Sequence, residues 1–171
     1  VDARLDHVRG NPGAPVTLVE YADFQCPYCG QAYPIVRDLL DRFGSDLRFV
    51  FRHMPLADLH PAADRAAEAA EAAAAQGRFW EMHDRLFEHQ VGLREGDLRG
   101  HAAAVGLDLE RFDSELASGV HVPRVREQLE SGRRSGVQST PAFFVNGVVH
   151  LDWATRPALE ATIADALRAA A

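Results

Sequence analysis

Between Pro15 and Phe24 the chain reads PVTLVEYADF. β-Branched and aromatic residues dominate this run, with Glu20 the one acid inside its apolar part, and it predicts a buried strand. LRFVFRHMP (Leu47–Pro55) has the same character and ends on a proline, predicting a second strand. Between the two, Ile35, Val36, Leu39, Leu40 and Phe43 recur at helical spacing and Gly44 closes the segment. Strand, helix and strand in this order form a βαβ unit, with parallel strands and a right-handed crossover. Pro34 falls inside the predicted helix, where it removes one backbone hydrogen bond and favours a kink.

The periodicity then becomes helical throughout. HPAADRAAEAAEAAAAQG (His60–Gly77) carries Pro61 near its start, a long alanine run and a glycine stop. RFWEMHDRLFEHQ places Phe79, Met82, Leu86 and Phe87 on one helix face. Phe79, Trp80 and Phe87 read better as core than as a substrate groove. Helices follow near Glu95–Val105, Leu109–Ala117 and Pro123–Ser131, punctuated by glycine or proline. PAFFVNGVVHL (Pro141–Leu151) returns to short apolar strands around Asn146-Gly147, a dipeptide that accepts the positive φ of a tight hairpin turn. RPALEATIADALRAAA then predicts a last helix burying Leu159, Ile163 and Leu167.

The expected architecture is one α/β domain over residues 1–171. Two halves of a sheet, about 15–60 and 137–171, flank a helical insertion over about 61–136. Composition supports a sizeable core: the chain is 47% hydrophobic and 25% charged. A net charge of -7 argues against nucleic acid or an anionic membrane as the main partner. All 18 basic residues are arginine, which reads as coding bias, and the one compact basic pair is Arg133–Arg134. No apolar run of about 18 residues suggests membrane insertion. No basic-then-apolar segment opens the chain, which leans towards the cytoplasm; a start at Val1 leaves the bacterial periplasm or the cell exterior open.

Candidate chemistry centres on DFQCPYCGQAYP (Asp23–Pro34), which holds the only two cysteines, Cys26 and Cys29. A disulfide across two intervening residues restricts an unfolded chain too little to serve as a staple. A zinc site needs further soft ligands; no other cysteine exists and the eight histidines form no short-spaced pair, so no metal is expected. A redox pair fits better. Pro27 suits the first helical turn, which puts Cys26 at the helix N-terminus, where free N–H groups and the positive dipole end favour a thiolate. Cys29 follows on the same helix face, within reach of a bond.

With this motif in place, the chain resembles the DsbA-like branch of thiol–disulfide oxidoreductases, in the thioredoxin-fold superfamily. VEYADFQCPYC, FRHMPL, HPAADRAAEAAEAAAAQGRFWEMHDRLF and STPAFFVNG carry the resemblance, which runs from about His7 to near the end. It implies that Cys26 is the exposed nucleophile and Cys29 the buried resolving thiol. It implies that Pro141 is the cis proline facing the pair, with Thr140 before it presenting backbone to an extended substrate peptide. Glu20, six residues before Cys26, matches a buried acid beneath the resolving cysteine, suited to moving its proton. Asp23 reads as a turn or capping acid; His53 and His60 lie in matched segments without an assigned role.

The implied reaction uses no cofactor, and the implied partners are protein or peptide thiols and disulfides plus a thiol reductant or membrane oxidant. Pro27-Tyr28 between the cysteines tunes the pair and leaves its direction open. Strongly oxidising DsbA proteins carry Pro-His there and thioredoxins Gly-Pro, whereas Pro-Tyr is common in glutaredoxins, which are much shorter. Two other readings stand beside it: a redox sensor or adaptor without generic turnover, and a glutathione-linked transferase or isomerase, which commonly lacks the resolving cysteine. Oligomeric state is not legible.

Overall fold

The computed structural model describes residues 1–2, 6–152 and 155–170. Five strands form one mixed sheet in the order β1-β3-β2-β4-β5. They are β1 (His7–Gly10), β2 (Val16–Ala22), β3 (Leu47–His53), β4 (Ala142–Val145) and β5 (Val148–His150). Helix α1 (Pro27–Phe43) joins β2 to β3, which pair in parallel as the βαβ pattern requires. β1, β4 and β5 each pair antiparallel to their neighbours. Between β3 and β4 lie α2 (Ala63–Ala74), α3 (Phe79–Glu88), α4 (Glu95–Ala104), α5 (Leu109–Ser118) and α6 (Val122–Arg134). Helix α7 (Arg156–Ala170) ends the described chain; the predicted last residue of that helix, Ala171, lies outside the described residues.

Strand alternation sorts side chains between two cores. On one face, Val16 and Leu18 of β2, Leu47, Phe49 and Phe51 of β3, and Phe143 and Val145 of β4 pack against residues of α1, α2, α3 and α7. Each buried residue of this size contributes about 1.5–3 kcal/mol. On the other face, Tyr21, Met54 and Val137 form a smaller cluster, joined by Leu129 of α6. Gly132 lets α6 approach closely: a Cβ there would sit 2.8 Å from Met54 Sδ.

The alanine-rich helix earns its alanines by burial, since Ala66, Ala69, Ala70, Ala72 and Ala73 are fully enclosed. Phe79 and Phe87 are core, as expected, and bridge the helical segment to the sheet: Phe87 packs on Phe24 and Phe79 on Phe51. Trp80 is half-buried; its indole N–H donates to the Val8 carbonyl at 3.2 Å and Arg9 lies over its ring. α1 continues past Pro34 to Phe43. The hairpin turn has positive φ at both Asn146 and Gly147. Asn146 also accepts from the Thr17 N–H and donates its own N–H to the Thr17 carbonyl, pinning the hairpin to β2. β1 had no counterpart in the sequence reading, because HVRG shows no apolar alternation.

Candidate active site

β2 delivers the chain to a short loop, and α1 begins at Pro27 with Cys26 as its N-cap residue. The loop is held by side chains. Asp23 Oδ1 accepts from the Gln25 N–H and Oδ2 from the Leu56 N–H, while His60 Nδ1 lies 2.8 Å from Oδ2. Asp23 is thus the turn acid that was expected, and His60 gains a role as its partner. Gln25 in turn accepts from the Ala62 N–H.

Both cysteines are free thiols. Cys29 is fully enclosed, as expected. Cys26 departs from expectation: it is 3% exposed rather than open, packed into the main core with its sulfur against the Thr140 carbonyl of the cis Thr140-Pro141 bond. As a thiol, Cys26 donates to the Thr140 carbonyl at 3.4 Å. The Thr140 hydroxyl is buried without a partner, so it is available to a thiolate there. The Cys29 thiol hydrogen bond favours a Cys26 anion; burial opposes it; the Thr140 hydroxyl and the N–H groups of Cys29 and Tyr28 add to the favourable side. The balance lowers Cys26 to about 5. No acid occupies the first turn of α1 to oppose that charge. Burial, the bond to Cys26 and the nearby charges of Glu20 and Cys26 hold Cys29 well above the ordinary thiol range, although the Asp23 N–H donates to its sulfur at 3.5 Å. Pro27 and Tyr28 are exposed, Tyr28 at 57%.

Glu20 sits on the central strand, not on an edge, and is buried. Its cross-strand neighbours are Phe51 and Phe143, so no polar group compensates for the lost water, and Oε1 has no hydrogen-bond partner. Burial, reinforced by a Cys26 anion, raises its carboxyl to about 8.

A second buried polar cluster escaped sequence reasoning. His7 of β1, His53 of β3 and Glu71 of α2 converge with ligand-type atoms within 4.8 Å of one another. The absence of short-spaced histidine pairs therefore did not exclude a grouping made by the fold. The Arg124 guanidinium lies 2.7 Å from Glu71 Oε2 and already supplies its countercharge. Gln90 is the other residue without a signal in its own surroundings; its side chain reaches the cysteine loop from the turn after α3.

A family model described as thioredoxin matches residues 2–165. Among solved structures, a thioredoxin-like oxidoreductase from Silicibacter pomeroyi DSS-3 is 30% identical, with a TM-score of 0.86 over 99% of this chain and 95% of that one. Oxidised BdbD from Bacillus subtilis is 25% identical, with a TM-score of 0.88 over 98% and 95%. The chain is a DsbA-like member of the thioredoxin family. The fold is shared further with Wolbachia pipientis alpha-DsbA1, at a TM-score of 0.85 and 18% identity over 99% and 94%. Sequence relatives are closer but longer. The protein named Na(+)/H(+) antiporter NhaA 1 of Salinispora arenicola is 52% identical over 166 residues, which are 97% of this chain and 25% of that protein. A Mycobacterium protein of the same name is 46% identical over 88% of this chain and 25% of its own length. The chain spans about a quarter of the length of the curated relatives it matches.

Proposed function

We propose that the Cys26-Pro27-Tyr28-Cys29 pair exchanges disulfides with protein or peptide substrates, Cys26 attacking, Cys29 resolving and Glu20 moving the resolving proton. The observation that carries this reading is the contrast between two sulfurs in one helical turn: Cys26 at the helix start beneath Thr140, Cys29 enclosed beside a buried acid. In the reductive direction, the Cys26 thiolate attacks a substrate disulfide. A Cys26–substrate bond forms, the substrate S–S bond breaks, and the other substrate sulfur leaves as a thiolate that takes a proton from water. The Cys26 anion is then gone, which removes one of the two causes that hold Glu20 protonated. Glu20 gives its proton to water, replacing the one that the departing thiolate took, and its carboxylate then accepts the proton of Cys29. The Cys29 thiolate attacks Cys26 Sγ, the intramolecular disulfide forms, and the second substrate sulfur departs with two electrons delivered to the substrate. Run in reverse, the same steps oxidise a substrate dithiol.

Substrate recognition is assigned to Thr140 and Pro141. Beside them a cleft of about 420 Å³ is lined by Gln138, Ser139, Pro141, Phe144, Val149 and Leu151. A cleft that mixes the apolar Phe144, Val149 and Leu151 with the polar Gln138 and Ser139 suits an extended peptide with alternating side chains. The antiporter in the relatives' name describes far longer proteins; no described helix of this chain is long and apolar enough to cross a membrane. This region is therefore read as a redox unit rather than an ion path.

Cys26→Ser is expected to abolish dithiol-dependent insulin reduction, and retained reduction would overturn the reading. Cys29→Ser is expected to trap mixed disulfides on Cys26, visible by mass spectrometry in the presence of substrate. A sensor or adaptor would differ in turning over generic protein disulfides poorly even with both cysteines intact. The equilibrium potential of the pair against glutathione assigns the direction.

A further inference from the structure

We propose that Gln90 is a positioning residue for the nucleophile loop, and that Gly30 is a glycine because Gln90 needs its space. The proposal rests on the reading of Cys26 as the attacking sulfur. Gln90 follows α3 and lies more than sixty positions from the cysteines in sequence, yet its amide nitrogen donates to the carbonyls of both Phe24 (2.8 Å) and Cys26 (2.9 Å). Both amide hydrogens are thereby committed to the two carbonyls that bracket Gln25. The Cys26 carbonyl also accepts the Gly30 N–H at 3.1 Å, the first bond of α1. One side chain of the helical segment thus clamps the end of the β2–α1 loop at the point where α1 begins.

Gly30 supplies the second half of the observation. It lies inside α1 and is not among the positive-φ glycines, so its conformation does not call for glycine. Alanine would form a better helix there. A Cβ at this position would, however, overlap Gln90 Oε1 and stand 2.7 Å from Gln90 Cδ. The obstructed atoms are the far end of a flexible side chain. Alanine at position 30 therefore displaces the Gln90 amide and leaves the loop backbone in place but unclamped.

The clamp acts on the reaction through Cys26. With it, the backbone on either side of Gln25 is fixed, Cys26 Sγ stays beneath Thr140, and the N–H groups of Tyr28 and Cys29 stay aimed at the sulfur. Without it, the loop samples orientations in which those donors no longer converge.

The test is a double-mutant cycle on reduced protein: Gln90→Ala, Gly30→Ala, the double variant, and Gln90→Met, which keeps the bulk and loses both donors. The readout is the pH dependence of Cys26 alkylation by iodoacetamide, which needs no protein substrate. Each variant is expected to shift the profile upward and slow alkylation at pH 4, on the acid limb of the profile, about three- to tenfold, the scale of one or two lost hydrogen bonds. The double variant should be no slower than either single one, because Gly30→Ala acts only by evicting Gln90. A wild-type profile in Gln90→Met overturns the proposal, and so do single effects that multiply in the double variant. Should the Gln90 variants fail to fold, Gly30→Ala decides alone, since it leaves Gln90 in the chain: a wild-type profile there overturns the proposal. A wild-type chain that alkylates normally but exchanges no protein disulfide would defeat the proposed function and leave this result standing.

Discussion

Glu20 and Glu71 are equally hidden, each 2% exposed, and chemically opposite. Glu20 lies between Phe51 and Phe143 with an unpartnered oxygen, and burial followed by the Cys26 anion raises it to about 8. Glu71 has His7 at 2.7 Å and His53 at 2.9 Å on Oε1 and Arg124 at 2.7 Å on Oε2. Burial would raise it too, but the hydrogen bonds from His53 and His7 outweigh burial and hold it well below the ordinary carboxylate range. Depth alone therefore does not fix a charge; the partners met at that depth do. The unsatisfied acid is able to exchange a proton, while the satisfied one is a fixed anion that ties β1, β3, α2 and α6 together.

This contrast breaks first at Glu71. Glu71→Ala takes away the acceptor shared by His7 and His53 and one partner of Arg124, and is expected to cost about 1–3 kcal/mol in urea denaturation, the scale for buried polar groups left unsatisfied. Protein that remains folded should keep its Cys26 reactivity. A loss below about 1 kcal/mol would mean that the cluster is solvated and the contrast false.

Glu20→Gln should act the other way, on rate rather than fold. Turnover is expected to fall about a hundredfold, the lower end of general acid–base contributions, and the Cys29-dependent step should lose its pH dependence near 8. An unchanged pH–rate profile would remove Glu20 from the mechanism.

The last effect is a slope with pH rather than a fixed loss. Cys26, lowered from 9.0 to about 5, contributes stability that is complete above 9 and is lost as pH falls through 5. Glu20, raised from 4.5 to about 8, works in the opposite sense, its contribution complete below 4.5 and lost as pH rises through 8. Between about pH 5 and 8, folding of the reduced chain takes up one proton on Glu20 and releases one from Cys26, and the two slopes offset. Relative to wild type, Glu20→Gln should therefore gain stability as pH rises through this window, and Cys26→Ser should lose it. Each slope is at most about 1.4 kcal/mol per pH unit. Equal pH profiles for all three proteins, measured by chemical denaturation under reductant, would show that the two groups are not coupled to folding in this way.

The parts of this picture that sequence reveals are those written in short-range pattern. α1 was legible from Ile35, Val36, Leu39, Leu40 and Phe43, and its start from Pro27, because helical spacing and a first-turn proline are local properties. The hairpin was legible at Asn146-Gly147 for the same reason. β1 was not, because its residues are half-buried along an edge and show no alternation. The family resemblance implied an exposed Cys26; the Thr140 carbonyl that its sulfur meets arrives from 114 residues away. Gln90 carried no signal of its own, although Gly30 beside Cys29, a glycine inside a helix, marks where something else must come close.

The sequence by itself determined that a βαβ unit opens into a cysteine pair at a helix start, because strand and helix periods and the dipole at a helix end act over a few residues. The tertiary structure alone decided which groups hold protons. Glu20 became a neutral acid only when β3 and β4 placed Phe51 and Phe143 on either side of it, and Glu71 a permanent anion only when β1, β3 and α6 brought His7, His53 and Arg124 to it. Desolvation and short-range charge pairing depend on neighbours in space, and in this chain those neighbours lie far apart in sequence.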